Sequence, residues 1–533
     1  MAFPRRPLLA MLPGIALSLT PAAAEVSIVV PASVVSSTSN HVASVKSNAD
    51  ATYEWSIRNG RLDSGIGRHS VTFTAGAPGP LVLDVTEKDA SGKAVGAATA
   101  TVDVVAQPGW YSESSRTVPI VLSLVGGRGD FFSSELTLTN RGSTAAQLSL
   151  TYSAAFGGGS GTATDTLEPG RQKVVPDAIE YLRSRNVPIP AAGNRGGSLT
   201  VRFSGLSSPD AGAVTVRTAA NVPEGRAGLA YPGVSSAAAL SGPSTICGLR
   251  QSATDRSNVA LVNAGAPGDG SIVLRLTVRS GSSETVKQLA DVELAPGEFR
   301  QINEVLRAEG LELTNGTVRV ERISGSAPYI AYGVVNDNAN GDGSYITPVP
   351  EHAFVQLTRL TLPAVVETAA FSTELVVANV SEDPRTVTLS LVADAVQNES
   401  KTATLTLALA PHEQQILPGF VDLLRQRGIP GIGPAGPTVV GALFAEVASG
   451  DLDGLFLGAR VSSAGGGGRY GVFYSALPDG AGAHESTWVN ALRQDESNRT
   501  NLAIVNLGDQ GGDADAYRIE IYDGATGAKA ATV

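Results

Sequence analysis

The sequence predicts an all-β protein of tandem β-sandwich domains, in which each large repeat carries one short helix. The chain has 533 residues, enough for four or five domains of about 100 to 150 residues each. Val, Leu and Thr recur in short alternating runs between turn-forming residues, the pattern of half-buried strands. Several segments also return after about 240 residues, which indicates internal duplication.

The N-terminus has the pattern of a secretory signal peptide. An arginine pair precedes an apolar stretch at residues 8–19, which ends in three alanines before Glu25, so residues 1–24 are predicted to be removed. A twin-arginine signal is the alternative, but prolines flank the arginine pair. No later segment approaches the ~18 to 20 apolar residues of a membrane span. We therefore expect an exported protein without a transmembrane segment after cleavage, located outside the cell, on its surface or in the periplasm.

Charge and cysteine content exclude several classes of protein. The net charge of −11 offers no basic stripe for phosphates, so no nucleic-acid partner is expected. Cys247 is the only cysteine, which excludes an intramolecular disulfide framework and a thiolate metal cluster. It follows Ile246 in a strand-like run and is predicted to be a small buried apolar residue.

Residues 25–106 form the first predicted domain, here called the N-terminal module. Its apolar residues alternate with period two, at Tyr53, Trp55 and Ile57, then Val71 and Phe73, then Leu81, Leu83 and Val85. An Asn-Gly pair after the first run is typical of a tight turn, and Trp55 is expected to fill the core. The segment resembles bacterial immunoglobulin-like domains of the PKD-like kind, which implies an immunoglobulin-like sandwich. Residues 107–115 are predicted to be a linker.

The rest of the chain is a duplicated pair of repeats. Residues 132–136 (FSSEL) return as 371–375 (FSTEL), and residues 249–251 (LRQ), 256–258 (RSN) and 261–263 (LVN) return as 492–494 (LRQ), 499–501 (RTN) and 504–506 (IVN). We call the predicted domains the first (116–238), second (239–351), third (352–479) and fourth (480–533) repeats.

Equivalent positions in the first and third repeats are predicted to share environments. Phe132 and Phe371 should both lie in the core, as should Leu182 and Leu424 on short capping helices. The fourth repeat has no counterpart of residues 294–350 and is expected to be a truncated sandwich. Repeats of this kind resemble those of exported proteins from high-GC bacteria, and this resemblance implies a spacer or binding role with no catalytic residues to transfer.

One loop has spacing that suggests calcium. Asp337, Asn338, Asn340 and Asp342 place oxygen atoms ahead of a glycine turn, as a calcium loop does. The bidentate carboxylate expected at the twelfth position is replaced by Val349. The alternative is structural, because Asn and Asp side chains also hydrogen-bond the backbone of their own turn.

Two further motifs have a functional and a structural interpretation. Arg128, Gly129 and Asp130 form an integrin-type tripeptide beside other glycines, but chance occurrence is the alternative, because the third repeat lacks it. The glycines at 466, 468 and 471 match a dinucleotide fingerprint, which functions only between a strand and a helix. Here the following residues continue as a strand, so a hairpin loop is predicted.

The sequence therefore predicts a non-catalytic protein without a required cofactor. The five histidines have no metal-ligand spacing, and no nucleophile elbow occurs. The leading hypothesis is a structural, adhesive or ligand-binding spacer whose partner is a surface protein or a glycan. The alternatives are a carbohydrate-binding accessory, disfavoured by only three tryptophans, or the non-catalytic part of an exported enzyme that continues beyond residue 533.

Overall fold

The computed structural model describes residues 26–533, except for positions 36–37, 49–50, 77–78, 106–113, 127–128, 224, 285, 356, 394–401, 435, 437, 449–450, 484–485 and 508–515. The fold is all-β, with tandem sandwiches and few short helices, as the sequence predicts. Tight turns between alternating apolar strands explain this class, because each strand must bury one face against a second sheet.

The N-terminal module has a four-stranded and a three-stranded sheet. Its strands are β1 (Ser33–Val35), β2 (His41–Ser44), β3 (Thr52–Arg58), β4 (Gly60–Ser64), β5 (Ser70–Ala75), β6 (Gly79–Lys88) and β7 (Ala94–Val105). The sheets have the orders β1-β7-β6-β3 and β2-β5-β4. Trp55 is only 6% exposed, as predicted, and its indole N–H donates to the Arg68 carbonyl at 2.8 Å.

The first repeat has nine strands and one α-helix. In chain order these are β8 (Ser114–Val125), β9 (Phe131–Asn140), β10 (Ala146–Phe156), β11 (Gly161–Leu167), β12 (Gln172–Val175), α1 (Ala178–Ser184), β13 (Arg195–Ser204), β14 (Gly212–Val222), β15 (Gly225–Pro232) and β16 (Val234–Ser235). A short 3-10 helix at Pro209–Ala211 precedes β14, and another at Ser236–Ala238 follows β16.

The second repeat follows the same plan with a 3-10 helix in place of the α-helix. Its elements are β17 (Ser244–Arg250), β18 (Asp255–Asn263), β19 (Ile272–Ser280), β20 (Val286–Gln288), β21 (Val292–Leu294), β22 (Phe299–Ile302), the 3-10 helix Val305–Gly310, β23 (Asn315–Ser324), β24 (Tyr329–Asp337), β25 (Gly343–Ile346) and β26 (Val349–Pro350). The residue at 302 still belongs to β22, and the 3-10 helix begins only at Val305.

The third repeat again has nine strands and one α-helix. These are β27 (Arg359–Glu367), β28 (Phe371–Asn379), β29 (Arg385–Ala393), β30 (Thr402–Leu409), β31 (Gln414–Leu417), α2 (Phe420–Gln426), β32 (Val439–Val447), β33 (Leu455–Gly465), β34 (Gly468–Ser475) and β35 (Leu477–Pro478). In the described part of the fourth repeat, β36 (Glu520–Tyr522) pairs with β37 (Lys529–Thr532).

Sheet order is the same in the first three repeats. One layer runs β11-β10-β13-β8-β16 in the first, β20-β19-β23-β17-β26 in the second and β30-β29-β32-β27-β35 in the third. The other layer runs β12-β9-β14-β15, β22-β18-β24-β25 and β31-β28-β33-β34. We refer to these as the inner and outer layers in that order. In the first repeat the layers also join where β8 pairs with β9.

The first strand of each repeat carries the same irregularity. Two of its residues lie opposite a single residue of the inner-layer neighbour, between Val118 and Val121, between Ile246 and Leu249, and between Leu362 and Val365. Such bulges bend a strand and redirect its N–H groups. Cys247 lies in the bulge of the second repeat, and the side chain is fully buried, as predicted.

A buried asparagine ends the first outer-layer strand of each of the first three repeats. The Asn263 side-chain amide donates to the carbonyls of Gly270 and Leu294 at 3.1 and 3.0 Å, and its oxygen accepts the Gly265 N–H at 2.9 Å. Asn140 and Asn379 make the equivalent bonds. Because the three side chains are fully buried, each ties two loops to the core.

The predicted core equivalences hold for the helices and fail for the phenylalanines. Leu182 and Leu424 are both buried, at 0% and 1% exposed. Phe371 is 40% exposed and Phe132 is half-buried, so the expectation that both fill the core was wrong. Each phenylalanine lies within the first two residues of its strand, at the rim, and the core side chains begin further along the strand.

Candidate functional site

The candidate calcium loop forms the turn between β24 and β25 of the second repeat. One carboxylate oxygen of Asp337 accepts the N–H groups of Ala339 and Asn340, at 2.8 and 3.1 Å. The side-chain oxygen of Asn340 accepts the Asp342 N–H at 2.9 Å, and Gly341 supplies a φ of +77°. These are the bonds of a turn that its own polar side chains stabilise.

The remaining oxygens of this loop reach the glycine hairpin of the third repeat. The second oxygen of Asp337 accepts the Arg469 N–H at 2.9 Å, and Asp342 accepts the Gly471 N–H at 2.8 Å. The Asn340 amide donates to the Gly465 carbonyl at 3.1 Å. The residues at 337, 340 and 342 are at most 7% exposed. Two motifs singled out for different chemistries therefore bind each other, and we call this contact the 337–342 junction.

The hairpin itself is formed by β33 and β34, with Gly466 and Gly467 in the turn at φ of +58° and +75°. A side chain at position 468 would place its Cβ 2.1 Å from a carboxylate oxygen of Asp337. Glycine is therefore required there by the close approach of the second repeat. The predicted hairpin loop is confirmed, and the strand-to-helix context of a dinucleotide site does not occur at these glycines.

Burial sets the electrostatics of the junction. Burial raises the pKa of Asp342 to about 6, against the opposing effects of the Gly471 N–H and Arg460. The Arg460 side chain is 4% exposed, and its guanidinium lies 3.7 Å from the Asp342 carboxylate. It lies 3.8 Å from Asp255, another acid of the second repeat. A buried arginine of the third repeat thus faces two carboxylates of the second.

The fourth candidate ligand, Asn338, contacts protein groups of the second repeat. Its oxygen accepts from Arg256 at 2.9 Å, and its amide donates to the Ser252 and Ala253 carbonyls. Among the described residues, no group of three or more His, Cys, Asp or Glu side chains is placed to hold a metal ion. The arrangement can bind backbone N–H groups of a neighbouring repeat, and calcium binding here stays a prediction.

The tripeptide lies in the turn between β8 and β9. Gly129 is exposed with a φ of +89°, and the Gly126 N–H donates to the Asp130 carbonyl at 2.8 Å. Arg128 lies outside the described residues. A role for this turn in binding also stays a prediction.

Sequence reasoning missed a tyrosine cluster where the first and second repeats meet. Tyr231 of the first repeat contacts Tyr332 and Tyr345 of the second, with ring centroids 5.6 and 5.9 Å apart. The latter two stack at 4.9 Å, and burial raises the pKa of all three hydroxyls. The sequence signal was the nearly continuous apolar run at residues 329–335 (YIAYGVV) of β24. Its residues are buried almost continuously instead of alternately, as in strands covered on both faces.

A cleft of about 390 Å³ lies beside this cluster, between the same two repeats. Phe132 and Leu229 line it from the first repeat, while Arg256, Gln301 and Asn303 line it from the second. Asn303 accepts from the Gln301 amide at 2.6 Å. The cleft combines an aromatic ring with amide and guanidinium groups.

Within the described part of the chain, no helix is long and apolar enough to cross a membrane.

Comparisons with known proteins show only distant structural likeness. No protein-family model matches the chain, and no curated protein matches it. One similar structure concerns carbohydrate-binding modules from the β-sandwich superfamily, with 11% identity and a TM-score of 0.12, covering 62% of this chain and 100% of that one. Another is Bacteroides ovatus SGBP-B from a mixed-linkage glucan utilization locus, bound to a heptasaccharide, with 11% identity and a TM-score of 0.12, covering 81% and 97%. At these values neither likeness carries an argument about function.

Proposed function

We propose that this chain is a non-catalytic, exported scaffold protein whose sandwiches form one rigid array that presents a binding surface. The observation that carries the proposal is the continuity of the hydrophobic cores. The core of the first repeat includes Phe299 and Tyr332 of the second, and the core of the second includes Val376 and Phe456 of the third. Side chains shared in this way oppose independent motion, because separating the repeats would expose them to water.

The connections between repeats support the same proposal. Leu240, between β16 and β17, exchanges both backbone hydrogen bonds with Tyr329, at 2.8 and 2.9 Å. Leu357, between β26 and β27, is 1% exposed and accepts the Leu452 N–H. The N-terminal module also contacts the third repeat, where Val42 packs against its core. Each connecting segment is thus held against the repeat that follows it, which leaves less of the connection to act as a flexible linker.

The array is tested by distance measurements on the full chain. Spin labels at Val286→Cys and Val440→Cys use exposed sites on the second and third repeats, while the buried native cysteine stays unlabelled. We expect one narrow distance distribution, which Asp337→Ala with Asp342→Ala broadens and Glu293→Ala, an exposed control, leaves unchanged. A broad distribution in the unmodified chain would contradict the proposal.

A carbohydrate-binding role is the second candidate, favoured by the cleft between the first and second repeats. Aromatic rings stack on sugar faces, and amide groups recognise hydroxyls. A glycan array probed with the full chain should then give signals that Phe132→Ala and Asn303→Ala both reduce. Binding that survives both changes would remove the cleft as the site, and a protein-ligand pull-down would then address the adhesive role.

A further inference from the structure

The two sequence motifs that return after about 240 residues are the two sides of one interface. Between the second and third repeats, Arg250 from the LRQ motif forms an ion pair with Glu374 from the FSTEL motif. The Gln414 N–H donates to the Gly281 carbonyl at 2.9 Å, and its side-chain oxygen accepts the Gly248 N–H at 2.7 Å. The strand bulge of the second repeat is thus clamped by a glutamine of the third.

The same contacts occur between the fourth and first repeats. Arg493 donates to Glu135 at 2.6 Å. The Gln172 N–H donates to the Gly524 carbonyl at 2.7 Å, and its side-chain oxygen accepts the Ala491 N–H at 2.9 Å. Every member of this set is the counterpart, about 240 residues away, of a member of the other set.

A third pair of contacts follows the same correspondence. Arg460 is opposite Glu374 in the ladder between β28 and β33 and faces Asp255 of the second repeat. Arg217 is opposite Glu135 in the ladder between β9 and β14 and donates to Asn498 of the fourth repeat at 3.2 Å. Each of these two equivalent cross-strand pairs therefore contacts the equivalent loop of the neighbouring repeat.

Backbone geometry at the bulge agrees with this equivalence. Gly248 has a φ of +76°, and its counterpart Ala491 has a φ of +60°. Alanine in the left-handed region costs about 1 kcal/mol or more. The fourth repeat nevertheless has this conformation, which aims the N–H group at Gln172. The backbone conformation that directs this N–H group toward the glutamine is thus present in both the second and the fourth repeat.

We infer that the chain is a covalently joined, twofold-symmetric dimer of a two-repeat unit. The first and second repeats form one unit, and the third and fourth form the other. The second repeat docks on the third while the fourth docks on the first, so each unit gives and receives the same contact. That reciprocity defines an isologous interface. The partner for which this surface is built is a second copy of the two-repeat unit, and this inference goes beyond the proposed scaffold role.

The contact residues would also be complementary between two copies of the same two-repeat unit. A unit of the first and second repeats carries Glu135, Gln172 and Arg217 on one repeat. The other repeat carries Arg250, Asp255 and Gly248, whose counterparts in the fourth repeat contact Glu135, Arg217 and Gln172 in that order. Opposite charges would therefore meet if two such units paired, since Arg217 would face a carboxylate instead of the Asn498 amide. Such charge pairs set register and partner choice.

The experiment uses the full chain with a specific protease site inserted after Ala353, an exposed residue between the units. After cleavage, the two halves should stay together in size-exclusion chromatography. Glu135→Arg and Glu374→Arg should each raise the dissociation constant of the halves at least about tenfold, by factors that agree within about threefold of each other. The control, Glu180→Arg with Glu382→Arg, reverses exposed acids of the same two repeats outside the contact.

Charge exchange separates specific docking from misfolding. Glu135→Arg with Arg493→Glu should recover most of the lost affinity, as should Glu374→Arg with Arg250→Glu. Dissociation of the cleaved unmodified halves at micromolar concentration would overturn the inference. So would an effect at only one of the two glutamates, or a control that weakens association as strongly.

Discussion

The second and fourth repeats contain the same motif in two different environments. In the second repeat, the Ser257 hydroxyl donates to the Arg250 carbonyl at 2.6 Å and accepts its N–H at 2.8 Å. In the fourth, the Thr500 hydroxyl donates to the Arg493 carbonyl at 2.8 Å and accepts its N–H at 3.0 Å. The local hydrogen bonds are therefore the same on both sides of the duplication.

Burial of the apolar side chains differs completely. Three residues of the second repeat are fully buried, and their counterparts in the fourth repeat are 42%, 46% and 47% exposed: Leu249, Val259 and Leu261 against Leu492, Leu502 and Ile504. The second repeat has two facing sheets, whereas the described part of the fourth has one two-stranded sheet. A short motif can thus reproduce its own turn, but only a facing sheet can bury its apolar residues.

Hydrogen exchange should show the largest difference between the two repeats. Amides of the fourth repeat, such as those near Leu502, should exchange at least about a hundredfold faster than those near Val259, because exposed segments open without global unfolding. Limited proteolysis should trim the same segment first. Equal protection in a dilute monomer would show that the fourth repeat buries this surface by contacts outside the described residues.

Removal of the strand-ending asparagine should affect the two repeats unequally. Asn263→Ala should destabilise the second repeat by about 3 kcal/mol, because two buried carbonyls and one N–H lose their partner. The counterpart Asn506 is exposed, so Asn506→Ala should cost less than about 0.5 kcal/mol. Urea denaturation followed by Trp and Tyr fluorescence measures both changes, and similar losses would contradict the comparison.

The pKa values of two aspartates, one in each repeat, should be shifted in opposite directions. Burial raises the pKa of Asp342 in the second repeat to about 6. In the fourth repeat, hydrogen bonds from the Asn498 side chain and the Ser497 N–H lower the pKa of Asp495 to about 2. Carboxyl-carbon NMR shifts recorded from pH 2 to pH 8 would give both values. Midpoints near the ordinary aspartate value of about 4 at both sites would contradict the described environments.

The raised pKa has a defined effect on stability. Folded Asp342 binds its proton more tightly than the unfolded chain does, so its stabilising contribution is complete below the unfolded pKa and disappears as the pH rises through about 6. Because asparagine does not ionise, Asp342→Asn has no such loss of stability as the pH rises. The variant should therefore gain thermal stability relative to the unmodified chain between pH 4 and pH 7. A difference independent of pH would show that this carboxyl is already ionised at pH 4.

Calcium should have the smallest effect. Carboxylate oxygens of Asp337 and Asp342 accept N–H groups of Arg469 and Gly471, and a cation would have to displace these bonds. We expect millimolar calcium to change the melting temperature by less than about 1 °C. A clear rise that Asp337→Asn abolishes would instead establish the loop as a metal site.

Sequence patterns predicted single elements better than their surroundings. The alternation at Tyr53 and Trp55 gave a strand with a buried tryptophan, and the glycines around 466 gave a hairpin. The pattern could not show that Phe371 lies at the strand rim, because its burial depends on the extent of the facing sheet. It also could not join the loop at 337–342 to that hairpin, since the two are more than a hundred residues apart along the chain.

The sequence by itself determined the all-β class, the burial of Cys247 and the turn bonds of polar residues such as Asp337. Each of these follows from composition, periodicity or local hydrogen bonding over a few residues. Tertiary structure alone decided that Asp337 also binds the third repeat, and that Glu135 and Glu374 receive equivalent arginines. Such choices depend on which surfaces meet after the sheets form. Only after the sheets have formed do their apolar side chains and unpaired N–H groups pack against particular surfaces of other repeats. The chemistry of a single strand does not specify which surface that is.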